Sequence, residues 1–120
     1  MNFLRTFLVL LSFFGAIQAQ VVPQVALCNK DDCPMVSRIG LGTLHIGDKI
    51  SGISDVNQIN NWINSAVQLG ITLFDLADVY PVKGGDAGDS ATLFGKALAV
   101  TPGLREKIVS FKTLSSIVCS

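Results

Sequence analysis

The chain has 120 residues, enough for one modest core, and its mean hydropathy of +0.50 is raised by an apolar N-terminus. Nine Lys and Arg balance nine Asp and Glu, which gives no net charge at pH 7. This balance, with no basic patch along the chain, excludes a nucleic-acid-binding or anionic-lipid-binding surface as the expected function.

Residues 1–19 have the pattern of a secretory signal peptide. Arg5 supplies a positive charge, residues 7–17 are largely apolar, and Ala19 is a small residue suited to a cleavage site. An uncleaved membrane anchor is the alternative, but this apolar core is shorter than the ~20 residues that a spanning helix needs. We therefore expect a secreted or secretory-pathway protein that has no membrane attachment after cleavage. Cleavage removes Arg5, one of nine basic residues, and leaves eight against nine acidic ones.

Residues 20–36 are predicted to contain a β-hairpin. Cys28 and Cys33 bracket a polar four-residue turn between two short apolar runs. Cross-strand neighbours lie at about the Cα separation that a disulfide requires, so a Cys28–Cys33 bridge is expected, and two free thiols are the alternative. A zinc site would need further Cys or His ligands nearby, and none is present. Of the three cysteines, Cys119 is then expected to remain a free thiol.

After the hairpin, short apolar runs alternate with segments of helical periodicity. Residues 38–42 are predicted to form a first strand, followed by a helix that Ser54 caps and Gly70 ends. Residues 71–74 are apolar on both faces, as expected of a parallel strand that is buried on both sides.

The second half of the chain repeats this order. A loop at residues 81–89 precedes a helix over residues 90–100, which Thr101-Pro102-Gly103 ends, and residues 107–111 are predicted to form a third strand. The alternation predicts an α/β fold with a parallel sheet and right-handed crossovers. By itself it fits a fragment of a (β/α) barrel and a doubly wound sheet equally well.

Four blocks of sequence carry a more specific signal. The second block contains the pattern D-x-A-x-x-Y at the end of an apolar strand. Together the blocks resemble the aldo-keto reductases over residues 35–108. The blocks are residues 37–43 (SRIGLGT), 74–80 (FDLADVY), 93–98 (LFGKAL) and 104–108 (LREKI).

The resemblance implies the N-terminal portion of a (β/α)8 barrel, preceded here by the β-hairpin. Such a barrel typically needs about 250 residues, so we expect it to be incomplete within these 120 residues. The resulting organisation is a signal peptide at 1–19, an N-terminal hairpin segment at 20–36, a partial barrel at 37–109 and an aberrant tail at 110–120.

The resemblance also implies the chemistry. In the family, NADPH delivers hydride to a carbonyl carbon, a tyrosine protonates the carbonyl oxygen, and a lysine held by an aspartate makes that phenol more acidic. Carried over by position, Tyr80 is the proton donor and Asp75 is the lysine partner, close to the nicotinamide ribose. Gly42, Thr43 and Leu44 are the matching cofactor contacts. The alternatives are a loop-capping aspartate, a tyrosine that packs its ring, and an ordinary strand exit.

Ala91 stands where the family usually has an acidic residue, and neither Lys112 nor the single histidine matches the family's catalytic positions. The family lysine stands eight residues after the arginine of the fourth block, whereas Lys112 stands seven after Arg105. Because strand side chains alternate between faces, this slip points Lys112 away from the site unless a bulge corrects it. His45, the single histidine, follows the first strand instead of the fourth, so we expect a pocket-lining or solvated role for it.

The C-terminal tail is a separate hypothesis. Val109-Ser110 is compatible with the codons GTAAGT, which form a strong splice-donor sequence, and the resemblance fades at this point. We therefore interpret residues 110–120 as translated intron or as the out-of-frame end of a gene model.

The resemblance thus implies an NADP-dependent reductase of small aldehydes and ketones, and we expect these 120 residues to be inactive and to bind no NADP(H). The family histidine and the late loops that hold the cofactor phosphates are missing from the matched blocks. The alternative is a secreted, non-catalytic binding or interaction module, in which the unclosed barrel edge favours self-association. An unrelated nucleotide-binding α/β domain is disfavoured because no glycine-rich phosphate loop opens either helix.

Overall fold

A computed structural model describes residues 21–48, 51–82, 85–86 and 88–113. The predicted signal peptide and Cys119 lie outside these residues. In chain order the elements are β1 (Gln24–Ala26), β2 (Met35–Ser37), β3 (Gly40–Gly42), α1 (Val56–Gln68), β4 (Leu73–Ala77), α2 (Asp89–Val100), a 3₁₀ helix (Arg105–Lys107) and β5 (Val109–Thr113).

Strands β3, β4 and β5 form a three-stranded parallel sheet in that order. Helix α1 connects β3 to β4, and α2 connects β4 to β5. The α/β class and the parallel sheet that the alternation predicted are therefore confirmed. Among the described residues, no helix is long and apolar enough to cross a membrane.

The first two strands make a separate antiparallel pair, with Val25 opposite Val36. A disulfide joins Cys28 to Cys33 in the connection between them, with the two Cα atoms 5.6 Å apart, a separation typical of disulfides.

Ser37, at the end of β2, holds this pair against the parallel sheet. Its side chain is buried, and its Oγ accepts hydrogen bonds from the backbone N–H groups of Thr72 at 2.9 Å and Leu73 at 3.1 Å. The same hydroxyl donates to the carbonyl oxygen of Ile39 at 2.6 Å. One serine side chain therefore satisfies three backbone groups at the point where the two sheets meet.

The core lies between one face of the parallel sheet and the two helices. Phe74 of β4 is fully buried and packs its ring against Trp62 of α1 and Phe94 of α2, with ring centroids 5.7 Å and 5.4 Å away. The buried members of this cluster are Ile46, Ile59, Ile63, Ala66, Phe74, Leu76, Phe94, Ala97, Leu104 and Ile108.

Asn60 joins the two helices inside this layer. Its side chain is buried, and its Nδ2 donates to the carbonyl oxygen of Ala97 at 2.8 Å. Its Oδ1 accepts hydrogen bonds from Asn64 and from the Thr101 hydroxyl. The first turn after α2 is thereby fixed to the middle of α1.

The ends of α1 confirm one prediction and correct another. Gly70 has a left-handed φ of +81° and donates its N–H to the carbonyl oxygen of Val67, as expected of a glycine that ends a helix. The N-cap is Asp55 instead of Ser54: its carboxylate accepts from the N–H groups of Asn57 and Gln58, and Gln58 accepts in return from the backbone of Asp55. This reciprocal capping box satisfies more backbone donors than a lone serine would.

Three strands begin later than predicted because the preceding backbone groups are used elsewhere. Arg38 donates its N–H to the carbonyl oxygen of Pro23, and β3 begins at Gly40 instead of residue 38. Ile71 donates its N–H to the last turn of α1 and Thr72 donates to Ser37, so β4 begins at Leu73 instead of residue 71. The 3₁₀ helix occupies residues 105–107, so β5 begins at Val109 instead of residue 107. The sheet therefore continues through Thr113, four residues beyond the predicted barrel boundary at 109, and residues 110–113 belong to it.

Candidate active site

The two residues of the D-x-A-x-x-Y pattern come together beside the carboxyl end of β3, where Gly42 lies opposite Asp75. Asp75 is the central residue of β4, and a turn in which Tyr80 donates its N–H to the carbonyl oxygen of Ala77 brings the phenol back over the strand. The Tyr80 hydroxyl donates to Asp75 Oδ2 across 3.5 Å, the outer limit of a hydrogen bond. The structure thus brings Asp75 and Tyr80 together, and it places Asp75 in the middle of the strand instead of at its end.

The second carboxylate oxygen of Asp75 is incompletely satisfied. Asp75 Oδ1 is buried and has no hydrogen-bond partner among the described residues. A buried carboxylate oxygen without a donor is costly, and such groups usually await a ligand, a water molecule or a cation. The site therefore has an acceptor available for a group that donates a hydrogen bond or carries positive charge.

Lys112 does not contact this carboxylate. In the register of β4 and β5, Asp75 lies opposite Phe111 and Lys112 lies opposite Leu76. Because side chains alternate along a strand, Lys112 shares the face of Leu76 and its Nζ forms an ion pair with Asp78. No bulge changes this register over the described pairing.

The predicted cofactor contacts follow β3, directly beside Asp75. Gly42 lies opposite Asp75 in register, and a Cβ placed on it would meet nothing within 4 Å, so the space there is open. Leu44 is 45% exposed. Thr43 is fully buried, and both its N–H and its hydroxyl donate to the carbonyl oxygen of Asp75, at 3.1 Å and 2.9 Å. The Thr43 side chain therefore joins β3 to β4 in this structure.

His45 lies on the exposed turn after β3. It contributes to the lining of a largely apolar cavity of about 290 Å³, on the helix side of the sheet where Trp62 packs. The residues that line the cavity are Gly42, Leu44, His45, Ile46, Ser51, Ile53 and Trp62. Within the described part of the chain, no three His, Cys, Asp or Glu residues are grouped as a metal site would require.

Two residues of the site were not found by sequence reasoning. Ser90, at the start of α2, is fully buried and donates its hydroxyl to the carbonyl oxygen of Thr43 at 2.8 Å. Asp78 is the partner of Lys112. A serine near a helix start is common for reasons of capping alone, so the local pattern carried no sign that Ser90 contacts a different strand.

The fold and the site define an α/β protein whose polar side chains gather at the carboxyl edge of a parallel sheet. A model of the aldo/keto reductase family matches residues 38–114. The chain belongs to the aldo/keto reductase family.

The chain is also similar to a curated bacterial protein. The chain is 33% identical over 86 residues to an "Uncharacterized 11.2 kDa protein in crtE 3'region" of Pseudescherichia vulneris. The alignment covers 65% of this chain and 84% of that relative. The name of this relative assigns it no activity.

Proposed function

We propose that these residues are the N-terminal part of an NADP-dependent reductase that converts small aldehydes and ketones to alcohols, reversibly, with Tyr80 as the proton donor. The observation that carries the proposal is the pairing of Tyr80 with Asp75 at the carboxyl edge of the sheet, 3.5 Å apart. In α/β barrels the reacting groups gather at this edge.

The chemistry requires both a hydride and a proton. NADPH supplies the hydride when it is bound. The Tyr80 hydroxyl, which points its one proton at Asp75 in this structure, would have to turn it toward the carbonyl oxygen and give it up as that oxygen gains negative charge. The open space at Gly42 and the unpartnered Asp75 Oδ1 fit the nicotinamide ribose, whose hydroxyl groups are donors.

We propose further that the 120 residues alone do not catalyse the reduction of a carbonyl substrate. The family relies on a lysine beside the tyrosine, and Lys112 pairs with Asp78 on the other face of β5. The parallel sheet of the described residues has three strands, whereas a closed barrel of this type has about eight. The remaining strands would have to provide the carbonyl-orienting histidine and the phosphate contacts.

The test is to sequence the transcript across the codons for Val109 and Ser110 and to express its longest product. Purified protein is incubated with NADPH and a panel of small aldehydes and ketones, with Tyr80→Phe as the matched variant. Carbonyl-dependent loss of NADPH fluorescence that Tyr80→Phe abolishes supports the proposal. Equal turnover by both proteins contradicts it. If the two codons do not contain GTAAGT, the intron interpretation of the tail is wrong. The reductase proposal does not depend on this result, because the comparison of the wild type with Tyr80→Phe decides it.

A second proposal is a non-catalytic interaction module that self-associates. Phe111 lies on the same face of the sheet as Asp75, the face opposite the helices, and is 45% exposed. No described strand pairs with the outer edge of β5, and unpaired edges favour contacts between chains. Sedimentation velocity of the mature chain separates the two outcomes: a dimer or larger species that Phe111→Lys converts to monomer supports this module, and a wild-type monomer at all concentrations contradicts it.

We also propose that the protein enters the secretory pathway and loses residues 1–19. The Cys28–Cys33 disulfide supports this proposal because such bonds persist mainly in oxidising compartments. N-terminal sequencing of protein recovered from the medium of an expressing eukaryotic culture should begin at Gln20. Retention in the cytosol with Met1 intact would contradict the proposal.

A further inference from the structure

Ser90 connects the turn that carries Tyr80 to the strand exit that carries Thr43. Ser90 is fully buried near the start of α2. Its hydroxyl donates to the carbonyl oxygen of Thr43 at 2.8 Å, and its backbone N–H donates to the carbonyl oxygen of Tyr80 at 3.3 Å. A single residue thus contacts the main chain on both sides of the site.

These two bonds complete a ring of contacts around Asp75. Thr43 donates two hydrogen bonds to the carbonyl oxygen of Asp75, and the Tyr80 hydroxyl donates to the Asp75 carboxylate. Ser90 closes the ring because it binds Thr43 on one side and Tyr80 on the other. The position of the phenol relative to Asp75 therefore depends on where Ser90 holds residue 80.

The local sequence does not hold Tyr80 in place by itself. The Tyr80 N–H donates to the carbonyl oxygen of Ala77 at 3.3 Å in the turn after β4, and the Tyr80 carbonyl oxygen accepts from the N–H of Ser90, ten residues later. The Tyr80 to Asp75 distance of 3.5 Å is already at the limit of a hydrogen bond. A small displacement of residue 80 would separate the two groups.

We propose that Ser90 is a positioning residue that sets the distance between Tyr80 and Asp75. Its hydroxyl fixes α2 to the exit of β3, and this fixes the amide that holds Tyr80. The consequence for catalysis rests on the proposed reductase function, in which a misplacement of about 1 Å can lower the rate by about a hundredfold. The geometric part of the inference does not depend on that function.

Tyr80 is the single tyrosine of the chain, which makes the geometry measurable without cofactor or turnover. The mature chain labelled with 3-fluorotyrosine gives one ¹⁹F resonance, from residue 80. In Ser90→Ala this resonance should move toward its position in the urea-unfolded chain, and Ser90→Thr, which keeps the hydroxyl, should return it toward the wild-type position. If Ser90→Ala does not fold, Ser90→Cys replaces it, because the thiol is a weaker donor in a similar volume.

Two controls separate positioning from general stability. Thr92→Ala removes an exposed hydroxyl from the same helix, and Ser37→Ala removes a buried hydroxyl at the opposite end of the sheet. Both should leave the folded-state resonance of residue 80 in place, although Ser37→Ala lowers stability. An unchanged resonance in Ser90→Ala, or an equal movement in Ser37→Ala, would overturn the inference.

The failure of the reductase proposal would appear differently. Ser90→Ala can move the resonance even if none of the longer proteins encoded by the transcript reduces a carbonyl. In that case the positioning of Tyr80 is supported and the proposed activity is wrong. In an active product, Ser90→Ala should lower kcat by about tenfold to a hundredfold with a smaller change in the KM for NADPH. An unchanged kcat with a raised KM would contradict a role through Tyr80.

Discussion

Lys112 and Asp78 form an ion pair on the helix-facing side of the sheet, one residue out of register with Asp75. The pairing has a simple geometric cause, because Lys112 lies opposite Leu76 and strand side chains alternate between faces. Asp75 lies opposite Phe111 and keeps one buried oxygen without a partner in the described part of the chain. The lysine of β5 is therefore held by a different carboxylate.

A double-mutant cycle tests this assignment. Asp78→Asn and Lys112→Met should show a coupling free energy of about 0.2 to 1 kcal/mol, the range for exposed pairs. Asp75→Asn and Lys112→Met should be additive within about 0.3 kcal/mol, as expected of groups that do not touch. Urea unfolding followed by the fluorescence of Trp62, the single tryptophan, gives all the values. Strong coupling of Lys112 to Asp75 would show that the register is wrong.

Ser37→Ala should lower the free energy of unfolding by at least about 2 kcal/mol. The substitution leaves the partly buried N–H groups of Thr72 and Leu73 without their acceptor, and each such loss costs about 1 kcal/mol or more. Ser65→Ala is the matched control, since Ser65 is exposed on α1 and should change stability by less than about 0.5 kcal/mol. Equal unfolding midpoints for the two variants would show that Ser37 does not hold the sheets together.

Asn60→Ala should lower the unfolding free energy by about 1 to 3 kcal/mol. The variant removes the donor to the Ala97 carbonyl and the acceptor for Asn64 and Thr101, all in a layer with little access to water. The neighbouring Asn61 is exposed, and Asn61→Ala should be neutral or slightly stabilising because alanine is the better helix former. Thermal unfolding followed by circular dichroism compares the two, and a larger loss in Asn61→Ala would contradict the role of Asn60.

The mature chain of these residues should show no measurable affinity for NADPH. The few contacts near the nicotinamide cannot offset the loss of translational, rotational and internal freedom of the ligand without the phosphate contacts of the later strands. Titration of NADPH fluorescence with the folded chain, and with the urea-unfolded chain as the control, measures this. Saturable binding with a Kd in the micromolar range by the folded chain alone would refute the expectation.

Tyr80→Phe should reduce carbonyl turnover by at least about a hundredfold in a form of the protein that contains the remaining strands of the barrel. The affinity for NADPH should hardly change, because the phenol meets the substrate oxygen and the phosphates are bound elsewhere. Asp75→Asn should lower the rate and also alter its pH profile, because the carboxylate contacts the phenol directly. Intact turnover in Tyr80→Phe together with lost NADPH binding would make Tyr80 a cofactor contact.

The sequence alone determined the class of fold and indicated that Asp75 and Tyr80 lie near each other. Apolar runs that alternate with helical periodicity require a parallel α/β arrangement, and the D-x-A-x-x-Y spacing placed Asp75 and Tyr80 near one strand end. These features are local, since they depend on side-chain periodicity and on the backbone preference of a residue such as Gly70.

Only the tertiary structure decided how the strands align and which groups satisfy one another. The start of β4 depends on Ser37, which is 35 residues away from Thr72 and takes the N–H that would otherwise extend the strand. The partner of Lys112 depends on the register of β5 against β4, and the role of Ser90 depends on a carbonyl group 47 residues earlier. Such contacts form because buried donors and acceptors must be paired, and no local pattern specifies which distant residue will provide the partner.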